Sequence, residues 1–565
     1  MSKHGKLARR IAKPILGAGL ALLLSGCATL PLAGGVIVGA NILGGLSTDY
    51  LYYSPPSPEP GAGPDAIVTG FITAGTGPQN DYAIAREYLA EDLKSVWSPN
   101  DEVLIQSQKG NLSFETPNLA HYDASIQATV TSDGEYSAVA KGTVRSLDFK
   151  LIKQGGQWRI SEAPNLTLVI KPVFDVIFRS YSVYFFDKQF KYLVPDLRWF
   201  PSRASTGTRL VNAILDGPSP WLAPGVRSAV PQGTSLAIDA VTIEQSVAIV
   251  DLDAKVLEAD LLRRKYLKAQ LSATLTQLST VKSVAVQIDH SPQDIPDYRV
   301  PSVPTSSYTP VALVADDLLH IGSGASSSVV GAKALIAKLG ATDFALNSDE
   351  SRIALLGPRG LFQASTNSIG STPQLADSRM DLLAPCFDSQ GYLWAISKTG
   401  FSSIDAVAAN GDHVKVHAPW LANFRRVSFD ISSEGTRAIF VVRSASGTQL
   451  LLSSVVRDSL GVPVSLSKPV SIVTDAETPQ SISWVDSLSI AVVDRAAGAS
   501  ISWPTILTVG GKERKLAALN SVKAVAASNT DSSVYALTDS GEIYRYDVYN
   551  WNKIDSAIQA VHFSG

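Results

Sequence analysis

Cysteine is almost absent from this chain: only Cys27 and Cys386 occur among its 565 residues. Two cysteines exclude the disulfide-dense frameworks that hold small secreted domains together. Charge is also sparse, since 18% of the residues are charged and the formal net charge is −3. This balance excludes long charged tails, and a mildly acidic protein lacks the basic face that nucleic-acid binding requires. No nucleic-acid partner is therefore predicted.

Short motifs of the common enzyme classes are absent as well: there is no G-x-S-x-G turn, no H-E-x-x-H and no P-loop. His413 and His417 are close in sequence, but alternation predicts a strand, on which they lie about 13 Å apart, too far for one metal ion. Asp251 and Asp253 share one face of a predicted strand, where a strand end with a helix cap is favoured over metal ligation. Cys386, in another alternating segment, is predicted to be structural and to face the core. We predict no catalytic residue, cofactor or metal site.

The amino terminus carries an export signal. The first 13 residues contain five basic lysine and arginine residues and no acid, and an uncharged apolar run follows. Leu24, Ser25 and Gly26 then precede Cys27, as in a bacterial lipobox. We predict cleavage between Gly26 and Cys27, an S-diacylglyceryl group on the thiol, and an N-acyl chain such as palmitate on the new amino terminus. Several chains hold a protein to a bilayer more firmly than one.

An uncleaved spanning segment is the alternative, because no charge occurs between Lys13 and Asp49 and the stretch from Pro31 to Leu46 is apolar. Two prolines and several glycines argue against one continuous helix there. We favour a lipoprotein anchored on the extracytoplasmic face of the cell membrane. Residues 27–64 then form the lipidated cysteine and a stalk, whose last part is rich in proline and glycine.

Residues 65–175 are predicted to form a first α+β domain. Apolar side chains recur at helical spacing, and a meander of alternating strands follows. The helical stripe consists of Tyr82, Ala85, Leu89, Leu93 and Val96, with Asn80 or Asp81 as the N-cap. Arg86 and Glu87 are interpreted as part of a solvated face rather than as an acid–base pair.

Residues 176–290 are predicted to form a second α+β domain. Two strands precede the segment "TGTRLVNAILDGPSP", a helix capped by Thr206 or Thr208 and ended by Gly217. A strand pair, a longer helix with a leucine stripe and the strand "VKSVAVQID" complete the unit.

After a Pro/Ser linker at residues 291–310, residues 311–565 are rich in predicted strands. A turn followed by a strand recurs with spacings of 39, 45, 53 and 45 residues; its turn positions are Asp349, Asp388, Ser433, Asp486 and Asp531. Periods near 40–50 residues are typical of propeller blades. Two β-sandwiches are the alternative. The predicted fold class is therefore multidomain: a lipoprotein signal at residues 1–26, two α+β domains and an all-β propeller.

Longer stretches carry a family resemblance. "RLVNAILDGPSPWLAPGVRSAVPQGTSL" and "VAIVDLD" resemble a GerMN domain, in the version found in actinobacterial LpqB lipoproteins. "FITAGTGPQNDYAIAREYLAEDLKSVWSP" is similar to the amino-terminal domain of that family. The resemblance implies a carboxy-terminal β-propeller. It also implies association with the extracytoplasmic domain of a membrane sensor kinase, MtrB, in envelope homeostasis and cell division.

Two functions remain open. The first is a non-enzymatic, membrane-tethered protein that binds such a sensor kinase, with the propeller rim or the surface around Trp221 as the contact. Trp221 lies in "PSPWLAP", and its alternative role is that of a core tryptophan. The second function is a cell-wall glycan-binding protein or hydrolase, because glycosidases need only two carboxylates brought together by folding.

Overall fold

The computed structural model describes residues 55–303, 309–322, 326–367, 369–400, 403–495, 499–528, 530 and 533–565. The predicted signal peptide, the lipobox and Cys27 lie outside these residues. Within the described ranges, no helix has both the length and the apolar character needed to cross a bilayer.

The first domain packs three helices against one curved sheet. Its elements are α1 Pro64–Ala74, α2 Ala83–Glu87, α3 Glu91–Lys94, β1 Glu102–Gln106, β2 Asn111–Thr116, β3 Leu119–Thr131, β4 Tyr136–Ala138, β5 Val144–Gln154, β6 Gln157–Glu162 and β7 Thr167–Ile170. The strand order is β6-β5-β3-β1-β7, with β2 and β4 also on β3. Helix and sheet meet around Ile67, Phe71, Trp97 and Phe149. The long strand β3 alternates buried and partly exposed residues, as a half-buried strand should.

The helical stripe predicted over Tyr82 to Val96, as one helix or two, is divided between the two short helices α2 and α3. The helix is interrupted because its backbone pairs with Ile160 in β6. The Ala90 N–H donates to the Ile160 carbonyl, and the Ile160 N–H donates to the Tyr88 carbonyl. Tyr82, in the left-handed region with φ 59°, is the N-cap of α2 in place of Asn80 or Asp81. Backbone pairing to a sheet edge therefore overrides the helical periodicity.

The predicted solvated face of this segment is correct for Glu87 and wrong for Arg86. Glu87 is exposed, whereas Arg86 is half-buried. The Arg86 guanidinium pairs with Asp81 and donates to the carbonyl of Trp97 at 3.1 Å. Arg86 thus joins the start of α2 to the end of α3.

Residues 55–63, the described end of the predicted stalk, lie against the first domain. Pro55 is buried, and the Tyr88 hydroxyl donates to the carbonyl of Pro56 at 2.9 Å. The Gly61 N–H donates to Gln157 Oε1 at 2.7 Å. This part of the spacer is therefore held by the domain that follows it.

The second domain contains two small sheets and two main helices. Its elements are α4 Lys171–Ile177, β8 Phe178–Asp187, β9 Leu193–Pro201, α5 Thr206–Asp216, β10 Val226–Arg227, β11 Thr242–Glu244, β12 Val247–Leu252, a 3-10 helix Ala254–Glu258, α6 Leu261–Leu275, β13 Ser283–Ile288 and β14 Ser291–Pro292. The sheet orders are β10-β8-β9 and β11-β12-β13-β14, with β12 parallel to β13. The inward faces of α5 and α6 pack Leu210, Ile214, Leu267 and Leu271 into one core with strand residues such as Phe185.

The predicted end of α5 is confirmed, because Gly217 follows it with φ 100°. Its predicted N-cap is wrong, since the N-cap is Ser205 and makes no side-chain cap bond. The Thr206 hydroxyl instead donates to the carbonyl of Arg203 at 2.6 Å. Thr206 therefore fixes the turn before the helix.

The propeller consists of short strands in chain order with one helix. The first half comprises β15 Val311–Val314, β16 Asp317–His320, β17 Ser327–Ser328, α7 Ala332–Leu339, β18 Asp343–Leu346, β19 Arg352–Gly357, β20 Gly360–Ser365, β21 Gln374–Asp377, β22 Cys386–Phe387, β23 Leu393–Ile396, β24 Ser403–Val407 and β25 His413–His417. The second half comprises a 3-10 helix Pro419–Asn423, β26 Arg425–Ile431, β27 Arg437–Ser444, β28 Gly447–Arg457, β29 Pro463–Leu466, β30 Val470–Ile472, β31 Pro479–Trp484, β32 Ser489–Asp494, β33 Ile501–Ser502, β34 Thr505–Thr508, β35 Glu513–Lys515, β36 Leu519–Asn520, β37 Val522–Ala527, β38 Val534–Thr538, β39 Ile543–Asp547, β40 Asn550–Asp555 and β41 Ile558–His562.

These strands form six blades in the described part of the chain. The blades are β41-β15-β16-β17, β18-β19-β20-β21, β22-β23-β24-β25, β26-β27-β28-β30, β31-β32-β34-β35 and β37-β38-β39-β40, while β29 joins the third blade to the fourth. The last strand closes the ring by pairing with the first, with Val311 opposite His562. Helix α7 lies between the first and second blades and was not predicted.

The repeated turn of the sequence marks the same place in successive blades. Asp349, Asp388, Ser433 and Asp486 each lie between the first and second strands of a blade. Asp531 falls outside the described residues. The propeller prediction is confirmed, and the two-sandwich alternative is excluded because every blade follows its predecessor around one ring.

Buried contacts join all three domains. The Trp199 indole N–H donates to the carbonyl of Gly510 in the propeller at 2.9 Å. The Lys512 ammonium pairs with Asp175 and lies 4.8 Å from the centre of the Trp199 ring. Arg198, 1% exposed, donates to Asp133 of the first domain at 2.8 Å and to Asp196 at 2.8 Å. We call this group of contacts the domain junction.

The junction predicts how the chain responds to protease. Cleavage within the Pro/Ser linker should be the first internal cut, yet the two fragments should stay together because Trp199 and Lys512 still hold the propeller. The measurement is limited proteolysis followed by gel filtration, first in buffer and then in denaturant. Initial cutting within residues 427–442, in the fourth blade, would contradict an intact propeller.

The central channel of the propeller as a candidate site

One inner strand from each blade, namely β41, β18, β22, β26, β31 and β37, lines a central cavity of about 600 Å³. Cavities that bind small molecules usually have volumes of roughly 300–1,000 Å³. The channel is therefore large enough to hold a small ligand, and it is the candidate functional site.

Side-chain hydrogen bonds hold neighbouring inner strands in register. The N–H groups of Val525 and Ala527 in β37 donate to the hydroxyl oxygens of Ser481 and Ser483 in β31, each at 3.1 Å. Because both pairs advance in the same direction, β31 and β37 run parallel along the channel. Short side chains leave its centre open; the lining includes Ala345, Ala384, Ser428, Ala524, Ala526 and Ala560.

A carboxylate–imidazole pair lies on the channel wall. His562 Nε2 is 2.7 Å from Asp343 Oδ1, joining β41 to β18. Burial opposes protonation of His562, but Asp343 and, more weakly, Asp430 outweigh it and raise the pKa of the imidazole above its usual value. Asp343 is therefore the direct partner of the His562 imidazole.

Asp430 is the second carboxylate on this wall, and it is held by backbone groups. Its Oδ1 accepts from the N–H of Ile431 and its Oδ2 from the N–H of Trp484, each at 2.9 Å. Burial raises the pKa of Asp430 to about 6, although these N–H groups oppose the shift. Among the described residues, no cationic side chain forms an ion pair with Asp430, because His562 bonds to Asp343 instead.

The remaining charged groups of the lining lie towards the two mouths of the channel. Lys523, at the start of β37, donates to the carbonyl of Gln559 at 3.1 Å, and Lys398 is exposed. Asp486, which follows the end of β31, accepts from the N–H groups of Leu488 and Ser489 at 2.7 Å. The interior of the channel therefore carries two carboxylates, Asp343 and Asp430, and one imidazole, His562, which bonds directly only to Asp343.

Cys386 also lines the channel. The prediction that it is structural agrees with its chemistry, because burial, with weaker help from Asp430 and Asp388, raises the pKa of its thiol well above the usual value. It is half-buried, in β22, against the core shared by the third and fourth blades. A thiol that stays protonated is a poor nucleophile.

The other residues considered from the sequence have structural positions. His413 and His417 are exposed at the two ends of β25, which confirms the strand. Asp253 accepts from the N–H of Lys255 and caps a 3-10 helix, while Asp251 accepts from the His290 ring at 2.6 Å. No cluster of three potential metal ligands occurs in the described ranges.

Trp221 lies between the second domain and the propeller. Its half-buried side chain packs against the core of the second domain and a core of the fourth and fifth blades. Its carbonyl accepts from the Ser467 hydroxyl at 3.1 Å. Nearby, a Cβ on Gly225 would lie 2.8 Å from Ser454 Cβ, so only glycine fits this approach. These contacts favour the core-tryptophan alternative for Trp221.

Sequence reasoning missed the channel group. Asp343, Asp430 and His562 are far apart in the chain and share no local motif. What they share is a place on an inner strand of the propeller: Asp343 lies on β18, Asp430 on β26 and His562 on β41. Only a correct assignment of inner strands could have found them.

Three family models match this chain. "Lipoprotein LpqB, N-terminal domain" matches residues 57–175, "Sporulation and spore germination" matches residues 182–294, and "Lipoprotein LpqB beta-propeller domain" matches residues 316–560. The two LpqB models together span most of the chain.

Two of the curated relatives match along most of their length. The chain is 26% identical to Lipoprotein LpqB of Thermobifida fusca, covering 86% of this chain and 88% of the relative. It is 27% identical to Lipoprotein LpqB of Streptomyces coelicolor, covering 93% of each. Among solved structures, it resembles TolB from Acinetobacter baumannii at 13% identity and a TM-score of 0.35, covering 45% of this chain and 66% of that one.

Proposed function

Because this chain belongs to the LpqB lipoprotein family, we propose that it is a non-enzymatic lipoprotein, anchored by acylated Cys27 on the extracytoplasmic face of the cell membrane. Its domains bind the extracytoplasmic domain of a membrane sensor kinase of the MtrB type. Binding modulates that kinase in envelope homeostasis and cell division. The lipobox at Leu24, Ser25 and Gly26 supports the anchor.

The domain junction is the observation that carries the binding role. The junction at Arg198, Trp199 and Lys512, together with the packing of Trp221, holds the three domains in contact, so that a partner can bind them as one unit. A tether on the same membrane raises the effective concentration of this unit near a kinase ectodomain. A weak interface therefore suffices for regulation.

The test uses full-length lipoprotein and sensor kinase reconstituted in the same vesicles. Adding the lipoprotein should change kinase autophosphorylation, and deleting residues 310–565 should remove the effect. Trp221→Ala should weaken kinase binding about tenfold, because it removes the side chain that packs between the second domain and the propeller, whereas Trp221→Phe should retain most binding since it keeps an aromatic ring there. Unchanged autophosphorylation with wild-type lipoprotein would refute the sensor role.

A cell-wall glycan-binding protein or hydrolase is the second candidate. The observation in its favour is Asp430, a carboxyl with a pKa of about 6 beside a cavity of about 600 Å³, as a general acid requires. A glycosidase needs a second carboxylate, and Asp343 is paired with His562. Soluble fragments released from purified cell wall, and lost with Asp430→Asn, would establish this function in place of the first.

A further inference from the structure

Most charges along the propeller channel are matched by a partner within the fold. Asp343 pairs with His562, the Lys523 ammonium bonds to a carbonyl, and backbone N–H groups occupy Asp486 in its turn. Asp430 lines the cavity, and no cationic side chain among the described residues forms a direct ion pair with it; His562 acts on Asp430 only at longer range, because it bonds to Asp343. Asp430 is half-buried, and the burial of a carboxylate is costly unless a positive group joins it.

We propose that the central channel binds a primary ammonium group on a short alkyl chain, with Asp430 as its counter-ion. This inference goes beyond the proposed sensor role and does not depend on it. The cavity of about 600 Å³ accepts such a chain, and alanine and serine side chains along the inner strands leave the space open.

The geometry of Asp430 favours ammonium over guanidinium. Each carboxylate oxygen already accepts one backbone N–H, from Ile431 or Trp484. The Ser483 hydroxyl also hydrogen-bonds to this carboxylate, so of its roughly four lone-pair positions only about one remains, whereas the fork of a guanidinium needs two. An ammonium is a compact charge with three rotatable donors, and it needs only one remaining lone pair.

An anionic ligand fits the interior less well. The cationic groups that could receive it lie at one mouth, where Lys398 is exposed and Lys523 is already bonded. His562 is neutralised by Asp343 at 2.7 Å. An anion in the interior, between this mouth and His562, would lie close to the Asp430 carboxylate and be repelled by it.

The test measures binding by titration calorimetry to the full-length lipoprotein in detergent. Cadaverine, a five-carbon diamine, should bind, whereas 1,5-pentanediol of the same length should bind at least tenfold more weakly. Asp430→Asn should weaken cadaverine binding at least tenfold, because it removes the charge and keeps the shape. The control Asp412→Asn changes an exposed turn acid outside the channel and should have no effect.

A lysine-containing tripeptide amide and its norleucine analogue identify the source of the ammonium. Asp430-dependent binding of the lysine peptide indicates a partner's side chain, and binding of cadaverine alone indicates a free amine. Equal affinity for diamine and diol in the wild-type protein overturns the proposal, as does no detectable binding of either amine. If Asp430→Asn does not fold, the proposal is tested by comparing the affinities of cadaverine and 1,5-pentanediol for the wild-type protein. A kinase assay that fails leaves these results unaffected.

Discussion

Substituting alanine for Asp388 should lower the free energy of unfolding of the propeller by about 3–5 kcal/mol, the usual cost of removing one partner of a buried ion pair. Asp388 is 5% exposed, and its Oδ2 accepts from Arg457 at 2.6 Å and from the Trp394 indole N–H at 2.8 Å. Alanine would leave the buried Arg457 guanidinium without an anion. Arg457 would retain only carbonyl acceptors, those of Gly435 and Gly461.

The effect should be specific to the contact between two blades. Asp388 follows β22 in the third blade, whereas Arg457 ends β28 in the fourth. Loss of the Asp388–Arg457 ion pair should therefore lower the stability of the third and fourth blades together.

Asp349 is the matched control, because it occupies the same turn in the preceding blade and is exposed. It bonds only within its own turn, to Asn347 and Ser351. Asp349→Ala should therefore cost about 1 kcal/mol or less. Chemical denaturation followed by tryptophan fluorescence compares both variants with wild type. Equal losses of stability for the two would contradict the role assigned to Arg457.

Asp349 and Asp388 show which features of the propeller can be predicted from the sequence and which cannot. Their spacing predicted a recurring turn, and the structure confirms it because such turns depend on nearby residues. The Asp388–Arg457 pair spans 69 residues, and no local pattern indicates it. The same limit applies to the channel, where Asp343, Asp430 and His562 meet only after the ring closes.

Local sequence patterns predicted a helix correctly where its apolar face packs against a single core. The predicted helix ending at Gly217 exists because its apolar stripe faces one core and its stop residue has φ 100°. The helical stripe over Tyr82 to Val96 is interrupted between α2 and α3, because the backbone there hydrogen-bonds to Ile160 in β6. Trp221 could not be placed from sequence either, since the surface that covers it comes from Ser467 and its neighbours in the propeller.

Replacing Cys27 by alanine should abolish lipid attachment completely. The thiol is the nucleophile that receives the diacylglyceryl group, and alanine has no atom that could form the thioether. Because cleavage follows lipid transfer, the precursor should keep its first 26 residues. The measurements are the intact mass of the protein and incorporation of labelled palmitate in growing cells.

Cys386→Ala is the control for this experiment, since it removes the only other cysteine of the chain. The Cys386 thiol lies on the channel wall with a raised pKa, so it should not substitute for Cys27 as a lipid acceptor. The control should therefore yield a lipidated protein of normal mature mass. Membrane retention alone is not diagnostic, because an uncut precursor keeps an apolar leader that also binds the bilayer. Mature-sized, palmitate-labelled protein from the Cys27→Ala gene would refute the lipobox assignment, and with it the tether on which the proposed sensor role depends.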